Sequence, residues 1–257
     1  MLATNVDKEL QIVITGLPGS GKTRVICSLR ESLADVSGEL KLTYFEDQGL
    51  LATGDLPLNN PVWCVIDVRS PFIAGRDDWL DIRLQTVVKQ ADGIVFSFLE
   101  NASLDDQSWW SQWAKNHAQG VPIVRWLNQE FPNGWAGFDE NLRQNVRQNK
   151  TQEVLDGTPP QVSLDVLQTF EFEVNRICLD HLLFGLDSSK QNLGMKIVRV
   201  QGVVDTLEYE NKVAIEGGAI RWDMFAADDG AASGRIIIQG FDLDKAWLNE
   251  LVKASLL

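Results

Sequence analysis

The chain has 257 residues, enough for one large domain or two modest ones, and its 44% apolar content can supply a core. The formal net charge of −13 argues against non-specific nucleic-acid binding, which needs a basic face, and suits a protein that handles small ligands. No apolar run is long enough to span a membrane, and Met1 to Glu9 carries acids without an apolar stretch, so neither a membrane segment nor a signal peptide is expected and a cytoplasmic location is.

In chain order, Leu10 to Thr15 reads as a strand buried on both faces. A glycine-rich loop follows, and Arg24 to Leu33 reads as a helix. Leu40 to Phe45 reads as a second strand, with Glu46-Asp47-Gln48-Gly49 at its carboxyl end, where α/β sheets place ligand loops. Val62 to Asp67 is an apolar strand ending in an acid. Trp79 to Lys89 reads as a helix, Ile94 to Phe98 as a strand, Asp105 to His117 as a helix and Val121 to Trp126 as a strand. Strands alternating with helices in this way imply βαβ units and a parallel sheet. Phe138 to Leu155 is polar and reads as a surface helix, stopped by Asp156-Gly157-Thr158-Pro159-Pro160, the expected domain boundary.

Beyond that boundary the rhythm changes. Phe170 to Ile177 reads as a strand and Leu179 to Ser188 as a helix. Met195 to Val204, Lys212 to Trp222 and Arg235 to Gln239 read as strands, and Leu243 to Ser255 as an amphipathic helix with Leu243, Trp247, Leu248 and Leu251 on one side. The expected fold is therefore α/β: a domain with a mostly parallel sheet over residues 1–158, then a smaller α+β domain over 163–257. Trp109, Trp110 and Trp113 fall near one helix face and read as packing residues. Cys27, Cys64 and Cys178 read as reduced, buried thiols, and no cysteine or histidine cluster has ordinary metal-site spacing.

The chemistry concentrates in Gly16-Leu17-Pro18-Gly19-Ser20-Gly21-Lys22-Thr23, a complete G-x-x-x-x-G-K-[ST] between a strand and a helix. Glycines let backbone N–H groups converge on phosphate oxygens, and the helix dipole adds positive potential at the same place. Lys22 can reach the β- and γ-phosphates and the Thr23 hydroxyl can hold Mg²⁺. Asp67, closing an apolar strand, has the form of a carboxylate that holds the Mg²⁺ shell; many strands also end in Asp for capping reasons alone.

This arrangement resembles the CobW family of P-loop GTPases, which is related to the nickel-insertion GTPases of hydrogenase and urease maturation. Gly16 to Thr23 carries the likeness first. Gln90-Ala91-Asp92-Gly93-Ile94-Val95 looks like the family's Q-x-x-x-A-D-x-I-x-x strand, preceded by the V-x-D-like Val65-Ile66-Asp67. Val198-Arg199-Val200-Gln201-Gly202 looks like its R-x-K-G strand, and Arg235-Ile236-Ile237-Ile238-Gln239-Gly240 like its penultimate strand. The likeness implies a GTPase domain followed by a CobW C-terminal domain. It implies Mg²⁺ with GTP, or ATP, as ligand, with Gly16, Pro18, Gly19, Ser20, Gly21, Lys22, Thr23, Arg24 and Glu100 around the nucleotide. Lys22 and Asp67 would serve the reaction, and Thr23 and Asp67 the metal. By family analogy it implies zinc or cobalt, a role tied to cobalamin synthesis or metallochaperones, and a metalloprotein or cofactor-assembly client; the acidic charge and the lack of an apolar span add the expectation of no nucleic acid and no membrane as partner.

The chain departs from the family in several places. The C-x-C-C metal motif is absent. Where N-K-x-D should stand there is Ser97-Phe98-Leu99-Glu100, in which Glu100 could accept from a guanine ring and Phe98 offers a stacking face. Arg24 takes the place of a second Thr after Lys22-Thr23. Two registers place Asp67 differently. In one it is the acid of E-x-x-G, with Ser70 replacing the Gly; in the other it belongs to a later strand and binds no metal. The family reading gives a nucleotide-binding protein and slow GTPase. The alternative is a degenerate, non-hydrolysing P-loop protein acting as an interaction module. Cys64 could bind metal, against the plainer reading as a core thiol.

Overall fold

The computed structural model describes residues 10–33, 40–44, 61–127, 166–228 and 230–257. The expected helix at 138–155, the boundary at 156–160 and the loop at 46–49 lie outside the described residues. The chain divides into two compact units, Met1–Pro71 with Leu80–Ser163, and Phe72–Trp79 with Leu164–Leu257.

The first unit holds a parallel sheet of five described strands: β1 (Leu10–Thr15), β2 (Leu40–Tyr44), β3 (Val62–Asp67), β4 (Gly93–Ser97) and β5 (Ile123–Arg125), in the order β2-β1-β3-β4-β5. Helices α1 (Lys22–Leu33), α2 (Asp78–Gln90) and α3 (Leu104–His117) fall between strands in the chain. Strand order turns back on itself at β1, the position where doubly wound sheets bind ligands beyond their carboxyl ends. Ile12, Ile14, Trp63, Val65, Val95 and Val124 join Val25, Ile26 and Leu29 of α1 in one core cluster. The alternate residues Val13, Cys64, Ile66, Ile94 and Phe96 are also buried, so both sheet faces are covered, as near-continuous apolar strands require. Gly93 makes this packing possible, because a Cβ there would stand 2.3 Å from the Trp63 ring.

Most element ends match their sequence signals, and the differences have local causes. Helix α3 begins one residue earlier than expected because Ser103 caps it, accepting from the Asp106 amide at 3.1 Å while its hydroxyl donates to the Asp106 carboxylate at 2.6 Å. Strand β5 is shorter than the expected Val121–Trp126; Pro122, just before it, has no N–H to give a ladder. Phe98 drops out of β4 because it turns to φ 59°. Trp110 and Trp113 are buried and meet edge to face, with ring centroids 5.4 Å apart, whereas Trp109 is partly exposed.

The second unit is an α+β layer. Strands β6 (Gln168–Glu173), β8 (Lys196–Thr206), β9 (Val213–Gly217), β10 (Trp222–Ala226) and β11 (Arg235–Phe241) form an antiparallel sheet in the order β10-β9-β8-β11-β6, and the short β7 (Arg176–Ile177) pairs parallel with β8. Helices α4 (Leu179–Asn192) and α5 (Lys245–Ser255) share a core with Phe172, Val200, Val204, Val213, Ile215, Ile236 and Ile238. The two helices approach closely at Gly185, where a Cβ would lie 2.1 Å from Leu251. Two expected strands differ. Lys212–Trp222 ends at Gly217 as β9, because Gly218 closes a turn on the Arg221 carbonyl at 2.8 Å, and β10, which runs on to Ala226, lies almost wholly beyond the expected strand. Phe170–Ile177 becomes β6 and β7, parted where the Val174 amide bonds Gly234 at 2.9 Å.

Lys190 of α4 is buried. Its ammonium donates to the Ala219 carbonyl at 3.1 Å, lies 3.8 Å from the centre of the Trp222 ring and 3.5 Å from Asp187. Burial pulls its pKa down to about 8, helped by Arg76 and opposed by Asp187 and Asp77. Between pH 8 and the ordinary 10.5 the unfolded chain keeps a proton that the folded chain has lost, so folding strengthens as pH rises through that window. Wild type should therefore gain roughly 3 kcal/mol on a Lys190→Met variant from pH 7 to pH 10.5 by denaturant unfolding. Parallel curves for the two proteins would show that this lysine is not held against its charge.

Candidate phosphate-binding site

The loop between β1 and α1 is shaped by glycines that only glycine can serve. Gly16, Gly19 and Gly21 take φ values of 145°, 79° and 88°. A Cβ at Gly16 would meet the Val65 carbonyl oxygen at 2.3 Å, and one at Gly21 the Phe98 ring at 2.8 Å. The Ser20 amide closes the turn on Leu17 at 3.1 Å, and the Val25 amide bonds Gly21 at 3.0 Å, starting α1. Left-handed residues spaced through a turn that leads into a helix N-terminus open a concavity for an anion. No acid occupies the first turn of α1 to cancel its dipole.

Lys22 bends back over this loop. Its Nζ donates to the Gly16 and Leu17 carbonyls at 2.9 Å each, and the residue is almost wholly buried. Ser20 is buried too, and among the described residues its hydroxyl has no hydrogen-bond partner, an omission that ordinarily costs about 1–3 kcal/mol and that a phosphate oxygen would remedy. Thr23 is exposed in the first turn of α1. From β4, the Ser97 hydroxyl lies 2.7 Å from the Ser20 carbonyl and 3.0 Å from that of Ile66, tying the loop to the strand ends.

A column of rings and guanidinium groups stands beside the loop. Phe98, at φ 59°, presses its ring edge on Gly21. The Arg69 guanidinium lies 3.8 Å from that ring's centre, and that of Arg24 lies 5.0 Å from it and 4.9 Å from the centre of Trp126. Each arginine has a carboxylate. Arg24 pairs with Glu100 at 2.6 Å. Arg69 holds Asp67: Nε lies 3.0 and 3.1 Å from the two oxygens, Nη2 2.6 Å from Oδ2, and the Arg69 amide 3.0 Å from Oδ1. Burial pushes the Glu100 carboxyl up, but backbone hydrogen bonding, the bond from Arg24 and the charges of Arg24 and Arg69 outweigh it and hold the group below its ordinary range.

The structure thus gathers Gly16 to Arg24 into one turn and brings Glu100 to Arg24. Asp67 sits at the carboxyl end of β3, beside β1, and three N–H groups of Arg69, its amide, Nε and Nη2, reach both of its oxygens. The Phe98 ring carries two guanidinium groups rather than an open stacking face. Cys64 is fully buried, which pushes its thiol up to about 12, with Lys22 opposing, so it stays protonated in this state. Cys27 is exposed, contrary to the expectation of three buried thiols, and Cys178 is half-buried. Among the described residues no group of three or more His, Cys, Asp and Glu is placed to hold a metal ion, and no helix is long and apolar enough to cross a membrane.

No motif marks Arg69 or Trp126, and nothing local in Ser97-Phe98-Leu99-Glu100 announces that Ser97 ties the loop to β4. Each stands at or just past the carboxyl end of β3, β4 or β5, far from the loop in the chain. The one available signal is position, at the carboxyl ends of buried parallel strands.

Strand, glycine loop and helix make the first unit an α/β unit of the P-loop type, followed by an antiparallel α+β unit. No protein-family model matches the chain, and no curated protein does. Among solved structures it is similar to the Zn(II)-bound YjiA GTPase from E. coli, at 10% identity and a TM-score of 0.34, over 97% of this chain and 99% of that one. It is also similar to a Zn(II)-bound triple mutant of the YjiA GTPase, at 11% identity and a TM-score of 0.34, over 97% of this chain and 91% of that one.

Proposed function

We propose that the chain binds a nucleoside triphosphate, GTP in the family reading and ATP as the alternative, with its phosphates on Gly16 to Thr23. The observation that carries this is the conformation of the loop: three left-handed glycines converging on an uncompensated helix N-terminus, with Lys22 folded over the turn. Lys22 would exchange its loop carbonyls for phosphate oxygens. The unpartnered Ser20 hydroxyl would gain an acceptor.

Mg²⁺ suits Thr23, an exposed residue in the first turn of α1; bound there, the ion would neutralise charge on the phosphates. Asp67 does not suit it in this state, because Arg69 engages both carboxylate oxygens. Hydrolysis is accordingly proposed to be slow. Binding without turnover, as an interaction module, is the second reading. It is favoured by that Asp67–Arg69 pair and by the Ser97-Phe98-Leu99-Glu100 turn, in which Glu100 faces Arg24 at 2.6 Å instead of an open base site. A role in metal or cofactor metabolism, with zinc or cobalt and a metalloprotein client, rests on family analogy alone.

Calorimetric titration with GTP, ATP and their diphosphates, with and without Mg²⁺, tests the reading. One triphosphate per chain is expected, with turnover well below one per second in a parallel phosphate-release assay, on the scale of unassisted P-loop GTPases. No binding of any nucleotide would refute the proposal, and turnover at many per second would refute its slow step.

A further inference from the structure

The Asp67–Arg69 pair has a place in the site that neither the loop motif nor the family pattern assigns. We propose that Arg69 is a second phosphate-contacting cation of the site and that Asp67 is its positioning residue rather than a metal ligand. The proposal rests on the triphosphate reading above.

Three observations point to it. The first is position. Arg69 follows β3 by two residues, β3 neighbours the strand that feeds the loop, and the Val68 amide bonds the Ser97 carbonyl at 3.3 Å, so the segment is tied to the residue that also anchors Ser20. The second is the contact chain. The Arg69 guanidinium stacks 3.8 Å from the centre of the Phe98 ring, and that ring's edge abuts Gly21 so closely that any side chain at 21 would overlap it. Arg69 is therefore one ring's width from the turn that would cradle the phosphates.

The third is strain. Phe98 is a bulky residue at φ 59° and ψ 29°, which is a true outlier for its type. A salt bridge that merely finished β3 would not need the neighbouring strand to end in this conformation. The strained turn is what places the ring against Gly21 with Arg69 on it, and strain of this kind concentrates at ligand sites.

Chemistry fits the same role. The arginine is largely buried, with its side chain 8% exposed, so its charge is little screened by water. Its guanidinium offers donors in a fixed plane to phosphate oxygens as well as to carboxylate, a geometry that the point charge of a lysine ammonium lacks. Asp67 fixes that fork from one edge, using Nε and Nη2, and its own amide contact from Arg69 fixes the carboxylate in turn. In a chain of net charge −13, a triphosphate needs local cations, and among the described residues Lys22, Arg24 and Arg69 stand beside the loop.

The test measures equilibrium affinity by calorimetry for non-hydrolysable GTP and ATP analogues and for inorganic tripolyphosphate, in the presence of Mg²⁺. Wild type is compared with Arg69→Met, which keeps a stem to pack on Phe98, Arg69→Lys, which keeps charge without the fork, and Asp67→Asn. Arg69→Met should lose ~10–100-fold in affinity, as loss of hydrogen bonds to a charged group implies, and by the same factor for all three probes. Arg69→Lys should lose ~10-fold, and it carries the test if the methionine variant proves unfolded by circular dichroism. Asp67→Asn should weaken all three probes while leaving the dependence of binding on Mg²⁺ as in wild type. If wild type binds and the arginine variants bind equally well, the proposal is overturned and the nucleotide reading stands. A loss confined to one base, with tripolyphosphate unaffected, would overturn it in favour of base contact. Abolished Mg²⁺ dependence in Asp67→Asn would return Asp67 to the metal. Failure of wild type to bind any probe would instead sink the nucleotide reading itself.

Discussion

A Lys22→Ala variant should lose at least ~100-fold in triphosphate affinity while staying folded. The factor follows from removing a charge-assisted contact to the most highly charged part of the ligand, in a site where the residue is 9% exposed and poorly screened. Stability should change little. Lys22 Nζ gives two hydrogen bonds to the Gly16 and Leu17 carbonyls at 2.9 Å, and their loss is set against release of a buried ammonium group. About 1 kcal/mol in either direction is expected from the typical worth of such bonds and the cost of the buried charge. Titration and a thermal melt on the same preparation separate the two effects. Unaltered affinity in a folded variant would place the ligand away from the loop.

Gly16→Ala should act in the opposite proportion, with the fold suffering first. At φ 145° an alanine is strained wherever its methyl points, and this methyl points 2.3 Å from the Val65 carbonyl oxygen, in the middle of β3. That obstacle is backbone within a parallel sheet and cannot swing aside as a flexible side chain would. Either the loop lifts off the sheet or β1 and β3 move apart. The strain alone costs roughly 1–3 kcal/mol, and the overlap adds to it, so a loss of about 3 kcal/mol or more is expected in denaturant unfolding. Binding should fall as well, because the Ser20 hydroxyl, 2.7 Å from the same Cβ position, would be displaced. A variant as stable as wild type would mean that the turn at Gly16 is not the one described.

Local signals in the sequence were strong where one element decides its own form. The apolar runs Leu10–Thr15 and Val62–Asp67 became strands with those bounds, and Gly16 to Thr23 became a left-handed turn opening a helix. Strand ends that depend on a partner were less legible: the break of β9 from β10 needs the Gly218–Arg221 turn, and Phe98 leaves β4 for a conformation that its side chain alone would avoid. The site divided in the same way. Residues contiguous with the motif could be read directly. Arg69 and Trp126 could not, since their relation to the loop exists only once β1, β3, β4 and β5 lie side by side. Asp67 illustrates the difference most clearly. Its position at the end of an apolar strand suggested a metal-linked acid, but that position says nothing of the arginine two residues later that takes its oxygens.

The proposed phosphate cradle is the backbone from Gly16 to Thr23. Amide proton–nitrogen spectra recorded while GTP or ATP with Mg²⁺ is titrated into the labelled protein test it at the atoms concerned. The largest shifts should fall on the amides of Gly19, Ser20, Gly21, Lys22 and Thr23, saturating at one ligand per chain and absent in Lys22→Ala. Shifts scattered elsewhere with these amides unmoved at millimolar nucleotide would contradict the claim.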